Sequence, residues 1–251
     1  MQQGTYIELV GPPGSGKSTL RQAWVASSAI VLDAKRAAWY QLCHTAKAHL
    51  PWWIKLLPAS ISYLFLRHRY QHSHLRAWGE RQSDEYAQLH ETVQHVVNQL
   101  GVSAHQKNFL TQHFIQSLPT LVLAKAYAHK HQVLVIGDEL GLQNLVSLFY
   151  ARPTQHDLSS LLQDYLTHIP KPDQIVHCDA SPSELWQRAN ARPRGLPQAY
   201  ENYSYEQFAD AAQHMQAGIQ HIKNHGPLAA IPWHEAPVDQ NYQPLFAKLS
   251  P

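Results

Sequence analysis

Residues 6–19 read Tyr6-Ile7-Glu8-Leu9-Val10-Gly11-Pro12-Pro13-Gly14-Ser15-Gly16-Lys17-Ser18-Thr19. A short apolar run leads into the pattern G-x-x-x-x-G-K-[ST], and a helical pattern follows to about Ser27. Strand, glycine-rich loop and helix in that order form a phosphate cradle. Gly11, Gly14 and Gly16 let the backbone curl until successive N–H groups point inward at phosphate oxygens. Pro12, Pro13, Ser15 and Thr19 complete the loop and its exit into the helix. Lys17 is placed to reach the β- and γ-phosphates, and the Ser18 hydroxyl to ligate Mg2+. The helix starting near Lys17 adds the positive end of its dipole. The stretch predicts a site for a nucleoside triphosphate; a glycine-rich turn without ligand is the bland alternative.

Bulk properties narrow what surrounds that site. A chain of 251 residues suits one α/β domain spanning 1–251, with a helical insertion. Its 20 Lys and Arg against 18 Asp and Glu are too balanced to argue for nucleic acid as partner. Cys43 and Cys178 lie far apart without metal-ligand spacing, as in a reduced cytoplasmic protein. The first strand begins within a few residues of the start, so no cleavable signal is expected before the fold. The 18 histidines are scattered, and pairs such as His72/His74 read as solvated polar residues rather than a metal motif.

Five apolar runs alternate with helical patterns, which predicts a parallel sheet covered on both faces. They are Tyr6–Val10, Ala29–Asp33, Val133–Gly137 (running into Asp138-Glu139), Gln174–Cys178 and Leu228–Pro232. About a hundred residues separate the second run from the third, far more than a crossover needs. This insertion reads as helical. Ser83-Asp84 starts one helix, Ser103 can cap a second, and Leu121 to Tyr127 looks like another. Ser181-Pro182-Ser183-Glu184 is a capping box with proline at the first helical position. Phe208, Ala211, Ala212, Met215, Ile219 and Ile222 form the core stripe of a long helix near the end.

The most apolar tract, within residues 50–69, has Trp52 and Trp53 at one end and Arg67, His68 and Arg69 at the other. Lys55 and two prolines make it a poor membrane span. It reads as a hydrophobic flap or helical hairpin over the acceptor pocket or against a partner subunit, such as a second copy. An interfacial segment making peripheral membrane contact is the other reading.

Three further groups complete a phosphoryl-transfer site. Asp138, closing the third strand, would hold Mg2+ directly or through water, while Glu139 could polarise a water or acceptor hydroxyl. A plain helix N-cap is the alternative for Asp138. Asp33 ends the second strand, and ligands gather at the carboxyl ends of parallel strands. It could take a proton from an attacking hydroxyl, or simply cap a helix from Ala34. Lys35 and Arg36 beside it could hold an anionic group of the acceptor. Arg188 and Arg192 lie four apart on a helix face, and Arg194 follows before Gly195, so the three could neutralise charge on a transferring phosphoryl group. A solvated basic turn is the alternative.

The loop 11–18, the acids at 33 and 138, and the Arg-rich segment after the fourth strand together resemble the nucleotide- and nucleoside-kinase branch of P-loop proteins. That branch includes thymidylate kinase, deoxynucleoside kinases, adenylate kinase and shikimate-type kinases. The resemblance implies an α/β fold whose five-stranded parallel sheet has the order 2-3-1-4-5, with helices on both faces. It also implies an acceptor-binding helical insertion (34–132) between the second and third strands, and an arginine-bearing lid at about 186–200. It implies ATP and Mg2+ as cofactors. Lys17 and Ser18 then inherit phosphate and Mg2+ roles, Arg188 a phosphate contact, and Arg192 and Arg194 the lid. Glu139 stands where thymidylate kinases and deoxynucleoside kinases carry an arginine, and Asp33-Ala34-Lys35-Arg36 replaces the Arg-Glu-Pro run of thymidylate kinases. Kinase chemistry on a small-molecule acceptor is therefore expected, without a nucleotide acceptor being implied.

Two other functions compete. A switch ATPase driving a protein partner would use Glu139 to activate water, and Asp138-Glu139-Leu140-Gly141 even satisfies D-x-x-G. The chain has no Asn-Lys-x-Asp guanine motif and no Leu-Ser-Gly-Gly-Gln transporter signature, and the first absence is what favours ATP over GTP. A membrane-associated kinase of a lipid-linked substrate would use residues 50–69 as its anchor.

Overall fold

A computed structural model describes residues 4–45, 52–66, 84–99, 104–138, 140–150, 159–193, 195–196, 200–225, 227–237 and 241–249. Strands and helices follow in the order β1 (Thr5–Val10), α1 (Lys17–Ser27), β2 (Val31–Asp33), α2 (Ala34–Thr45), α3 (Trp52–Lys55), α4 (Ala59–Leu66), α5 (Asp84–Gln99) and α6 (Ala104–His131). Then come β3 (Leu134–Asp138), α7 (Gly141–Tyr150), α8 (Ser159–His168), β4 (Gln174–His177), α9 (Pro182–Asn190), α10 (Tyr205–Asn224), β5 (Trp233–Glu235) and α11 (Gln243–Leu249). The strands make one five-stranded parallel sheet in the order β2-β3-β1-β4-β5. This is the α/β fold and strand order expected of a P-loop kinase.

Side chains alternate across a strand, so β1 feeds two cores at once. Ile7 and Leu9 face a layer made by Leu20 and Trp24 of α1 with Leu245, Phe246 and Leu249 of α11. Trp24 and Phe246 stack with ring centroids 4.7 Å apart. Tyr6 and Val10 face the larger layer, which holds Trp39 and Leu42 of α2, Val93 and Val96 of α5, Leu145 of α7, Leu185 of α9 and Met215 of α10. β1 is central and buried on both faces, so its end, where the glycine-rich loop begins, is held from both sides.

Several local expectations shift. β2 begins only at Val31, because Ala29 and Ile30 form a turn closed by Val31 N–H on the Ser28 carbonyl (3.3 Å). β5 is not Leu228–Pro232. Leu228 is buried as a core plug, Ile231 N–H turns back onto its carbonyl (3.1 Å), and the strand lies at Trp233–Glu235. An edge strand has one neighbour, so pairing to β4 rather than local apolarity sets its place. Residues 104–131 form one helix where two were expected, and it runs through Pro119. The lost N–H there costs one turn's bond, which the packing of Phe114, Leu118, Leu121 and Ala124 offsets. Other expectations hold as read. α5 starts at Asp84, the Ser181 box caps α9, and the stripe from Phe208 to Ile222 is buried on α10. The apolar tract is two short helices, α3 and α4.

Candidate functional site

The glycine-rich loop 11–16 leaves β1 and enters α1 through left-handed turns. Gly14 (φ 87°) and Gly16 (φ 91°) occupy the left-handed region that favours glycine. Any side chain at Gly14 would also collide with the carbonyl of Leu185 in α9. Gly16 caps α1, and Leu20 N–H bonds its carbonyl at 2.9 Å. Inside the loop, Lys17 Nζ donates to the carbonyls of Gly11 (2.6 Å) and Pro12 (2.9 Å) and to Ser15 Oγ (3.4 Å). The ammonium thus lies folded across the loop.

Two polar residues that the sequence reading passed over hold the loop from below. Gly11 N–H donates to Gln143 Oε1 (2.9 Å), and Gln143 N–H donates to Glu8 Oε1 (3.1 Å). Glu8 is fully buried in β1 and its Oε2 has no hydrogen-bond partner. Burial raises its carboxyl to about 7, against the opposing pull of the Gln143 and Leu142 N–H groups. A lone carboxylate in the apolar run 6–10 was the available signal. Burial likewise pushes the Cys178 thiol up to about 12, which makes it an inert neighbour of the loop.

At the mouth, Ser18 Oγ donates to Asp138 Oδ2 at 3.1 Å. The pairing of Leu9 with Asp138 across β1 and β3 brings the two together. Adjacent oxygens of an octahedral Mg2+ shell at 2.0–2.1 Å stand about 2.9 Å apart, so this hydroxyl–carboxylate pair fits the hard cation. Among the described residues no cluster of three or more His, Cys, Asp and Glu could hold a metal. The candidate pair is a hydroxyl and a carboxylate, Ser18 Oγ and Asp138 Oδ2.

Arg21, one turn along α1 from Ser18, completes the crevice and was not singled out from sequence. Its Nε lies 3.2 Å from Asp138 Oδ1, and its guanidinium pairs with Asp33 Oδ2. Asp33 Oδ1 accepts from Lys35 N–H (2.8 Å) at the start of α2. Asp33 thus faces the same crevice as Lys17 and Asp138, and it also caps α2. Arg21 reaches both strand ends, a fact of three-dimensional spacing that no local pattern reports.

The arginine segment is less assembled. Arg188 pairs with Glu184 one turn back (3.4 Å) on α9, whose Leu185 carbonyl abuts Gly14. Arg192 is exposed in the turn after α9, and Gly195 follows with φ 65°. Glu139 and Arg194 lie outside the described residues, as do Ser83, Ser103 and much of 186–200 beyond Pro193.

No protein-family model matches the chain, and no curated protein does. Solved structures do match. One is thymidylate kinase from Candida albicans, at 14% identity and a TM-score of 0.47, covering 99% of this chain and 92% of its own. The class of the fold rests on the strand order and the loop, not on that likeness. Among the described residues no helix is long and apolar enough to cross a membrane.

Proposed function

We propose that the protein is an ATP-dependent phosphotransferase that moves the γ-phosphate of ATP to a hydroxyl or phosphate of a small-molecule acceptor. The observation that supports this most is the Ser18–Asp138 pair, 3.1 Å apart, beside a glycine cradle with Lys17 folded across it. Mg2+, held by Ser18 and Asp138, would supply charge neutralisation on the β- and γ-phosphates. Loop N–H groups and Lys17 orient the triphosphate. An acceptor oxygen forms the new O–P bond as the bridging bond to the β-phosphate breaks and ADP leaves. A hydroxyl acceptor must shed its proton, and Asp33 lies on the crevice to receive it. An ionised carboxylate offers about four lone-pair positions, so its cap and ion pair leave room for a substrate hydroxyl. The helices within 34–132 would hold the acceptor, and Arg188, Arg192 and Arg194 would close over the phosphates.

Two variants test the site together. Lys17→Ala should lower acceptor-dependent turnover by about a hundredfold or more while melting like the parent protein. Asp138→Asn should weaken Mg2+-dependent turnover far more than metal-free nucleotide affinity. Near-normal turnover of Lys17→Ala at saturating ATP and Mg2+ would remove the assignment.

A further inference from the structure

The helices α3 and α4 carry a feature that phosphoryl transfer does not use. Five large apolar side chains stand exposed among the described residues, and three of them lie within residues 52–61, in α3, the turn after it and α4: Trp52 (73%), Leu56 (73%) and Ile61 (39%). The segment is not loosely attached. Ile54 is buried, and Ser62 is fully buried with its Oγ accepting from Trp39 Nε1 of α2 at 3.0 Å. One side of the hairpin is docked and the other is left to solvent. Leu56 and Ile61 flank the Pro58 turn, where Ile61 and Ser62 N–H groups bond the Pro58 carbonyl (2.9 and 3.0 Å).

Charge along the chain points to what covers that side. Residues 34–79 contain seven of the 20 Lys and Arg and none of the 18 Asp and Glu. The remainder therefore carries 13 basic against 18 acidic residues, a formal −5 beside +7 for this segment. An apolar ridge with a tryptophan, set in a run of bases without a single acid, is the composition that partitions into an anionic lipid interface. A protein partner would have to be acidic around an apolar pocket.

We propose that α3 and α4 dock the protein peripherally on an anionic membrane surface, with Trp52, Leu56 and Ile61 entering the headgroup region. α2 starts at the Asp33 end of the crevice and carries the hairpin through the Trp39–Ser62 bond, so one helix joins the docked segment to the crevice. The docking itself does not depend on the phosphotransfer reading.

Flotation of the full chain with phosphatidylcholine vesicles, with and without about a third phosphatidylglycerol, tests this. Binding is expected on the anionic vesicles only, weakened by 0.5 M NaCl, and reduced about tenfold or more in Trp52→Ala/Leu56→Ala. Ile30→Ala, which removes an exposed apolar side chain elsewhere, should float like the parent protein. Lys17→Ala should do so too, which separates loss of docking from failure of the triphosphate site. Ser60→Glu, on an exposed position of α4, checks the same face by charge if the double variant misfolds, and should also release the protein. No binding to anionic vesicles, or undiminished binding of the double variant and Ser60→Glu, overturns the proposal. So does a concentration-dependent dimer in lipid-free sedimentation that Trp52→Ala/Leu56→Ala abolishes.

Discussion

Arg21 sets the charge balance of the crevice. Its guanidinium lies between two carboxylates from different strands, with side-chain exposures of 22% for Arg21, 17% for Asp33 and 8% for Asp138. Removing it leaves one buried and one partly buried carboxylate without the cation they share, which Mg2+ could relieve. Arg21→Ala should therefore lose about 1–3 kcal/mol of stability in chelator, and Mg2+ should restore more stability to it than to the parent protein. Urea unfolding with EDTA and with Mg2+ checks both halves; an equal loss in the two buffers would show that Arg21 serves packing alone. Glu8 makes a pH prediction. Its folded value of about 7 lies above the 4.5 of an unfolded carboxyl, so the folded state holds a proton that the unfolded state has released between those values. Stability then falls as pH rises from 4.5 to 7, by about 3 kcal/mol at full effect, and is level below and above that window. Glu8→Gln should flatten this slope and be at least as stable as the parent at pH 8. A slope unchanged in Glu8→Gln would place the titration elsewhere.

At the scale of elements, α9 joins sequence signal to site most directly. Ser181 N–H donates to Glu184 Oε2 (3.0 Å) and Glu184 N–H donates to Ser181 Oγ (3.4 Å), the reciprocal pair visible in Ser-Pro-Ser-Glu. The helix so started presents the Leu185 carbonyl to Gly14, so its first turn forms one wall of the loop. Ser181→Ala should cost about 1 kcal/mol and lower the melting temperature by roughly 2–4 °C. Triphosphate affinity should fall with it, since a frayed first turn leaves Gly14 unsupported. A melting shift without any change in affinity would uncouple α9 from the cradle. The same scale explains why residues 104–131 form one helix through Pro119 rather than two. Pro119 is a breaker in isolation, but residues 104–131 are packed along α2, α5 and β3, and tertiary burial outweighs one lost bond.

Across the whole molecule, two layers clamp β1, and the smaller one depends on the chain's last helix. Phe246 of α11 stacks on Trp24 of α1, behind the loop that α1 anchors. Phe246→Ala should cost about 3 kcal/mol in urea unfolding and weaken triphosphate binding, whereas Ile30→Ala at an exposed turn should change stability by under about 0.5 kcal/mol. A cost below about 1 kcal/mol for Phe246→Ala would mean that α11 lies outside the cooperative unit. By itself the sequence determined the features whose cause is local. The glycine spacing of 11–16, the apolar runs of β1 and β3, the capping box at Ser181 and the period of α10 each report within a turn or a strand. The strand order came only through the resemblance those motifs carry, and the sheet agrees with it. Tertiary structure alone decided what depends on distant segments meeting. It drew Asp33, Asp138 and Arg21 together from three elements, and buried Glu8 beneath a helix start 135 residues away. It also moved β5 past Pro232 and left Trp52 and Leu56 uncovered. Periodicity carries no term for a partner beyond its own window, so burial, ion pairing and edge pairing become legible only once the chain has closed on itself.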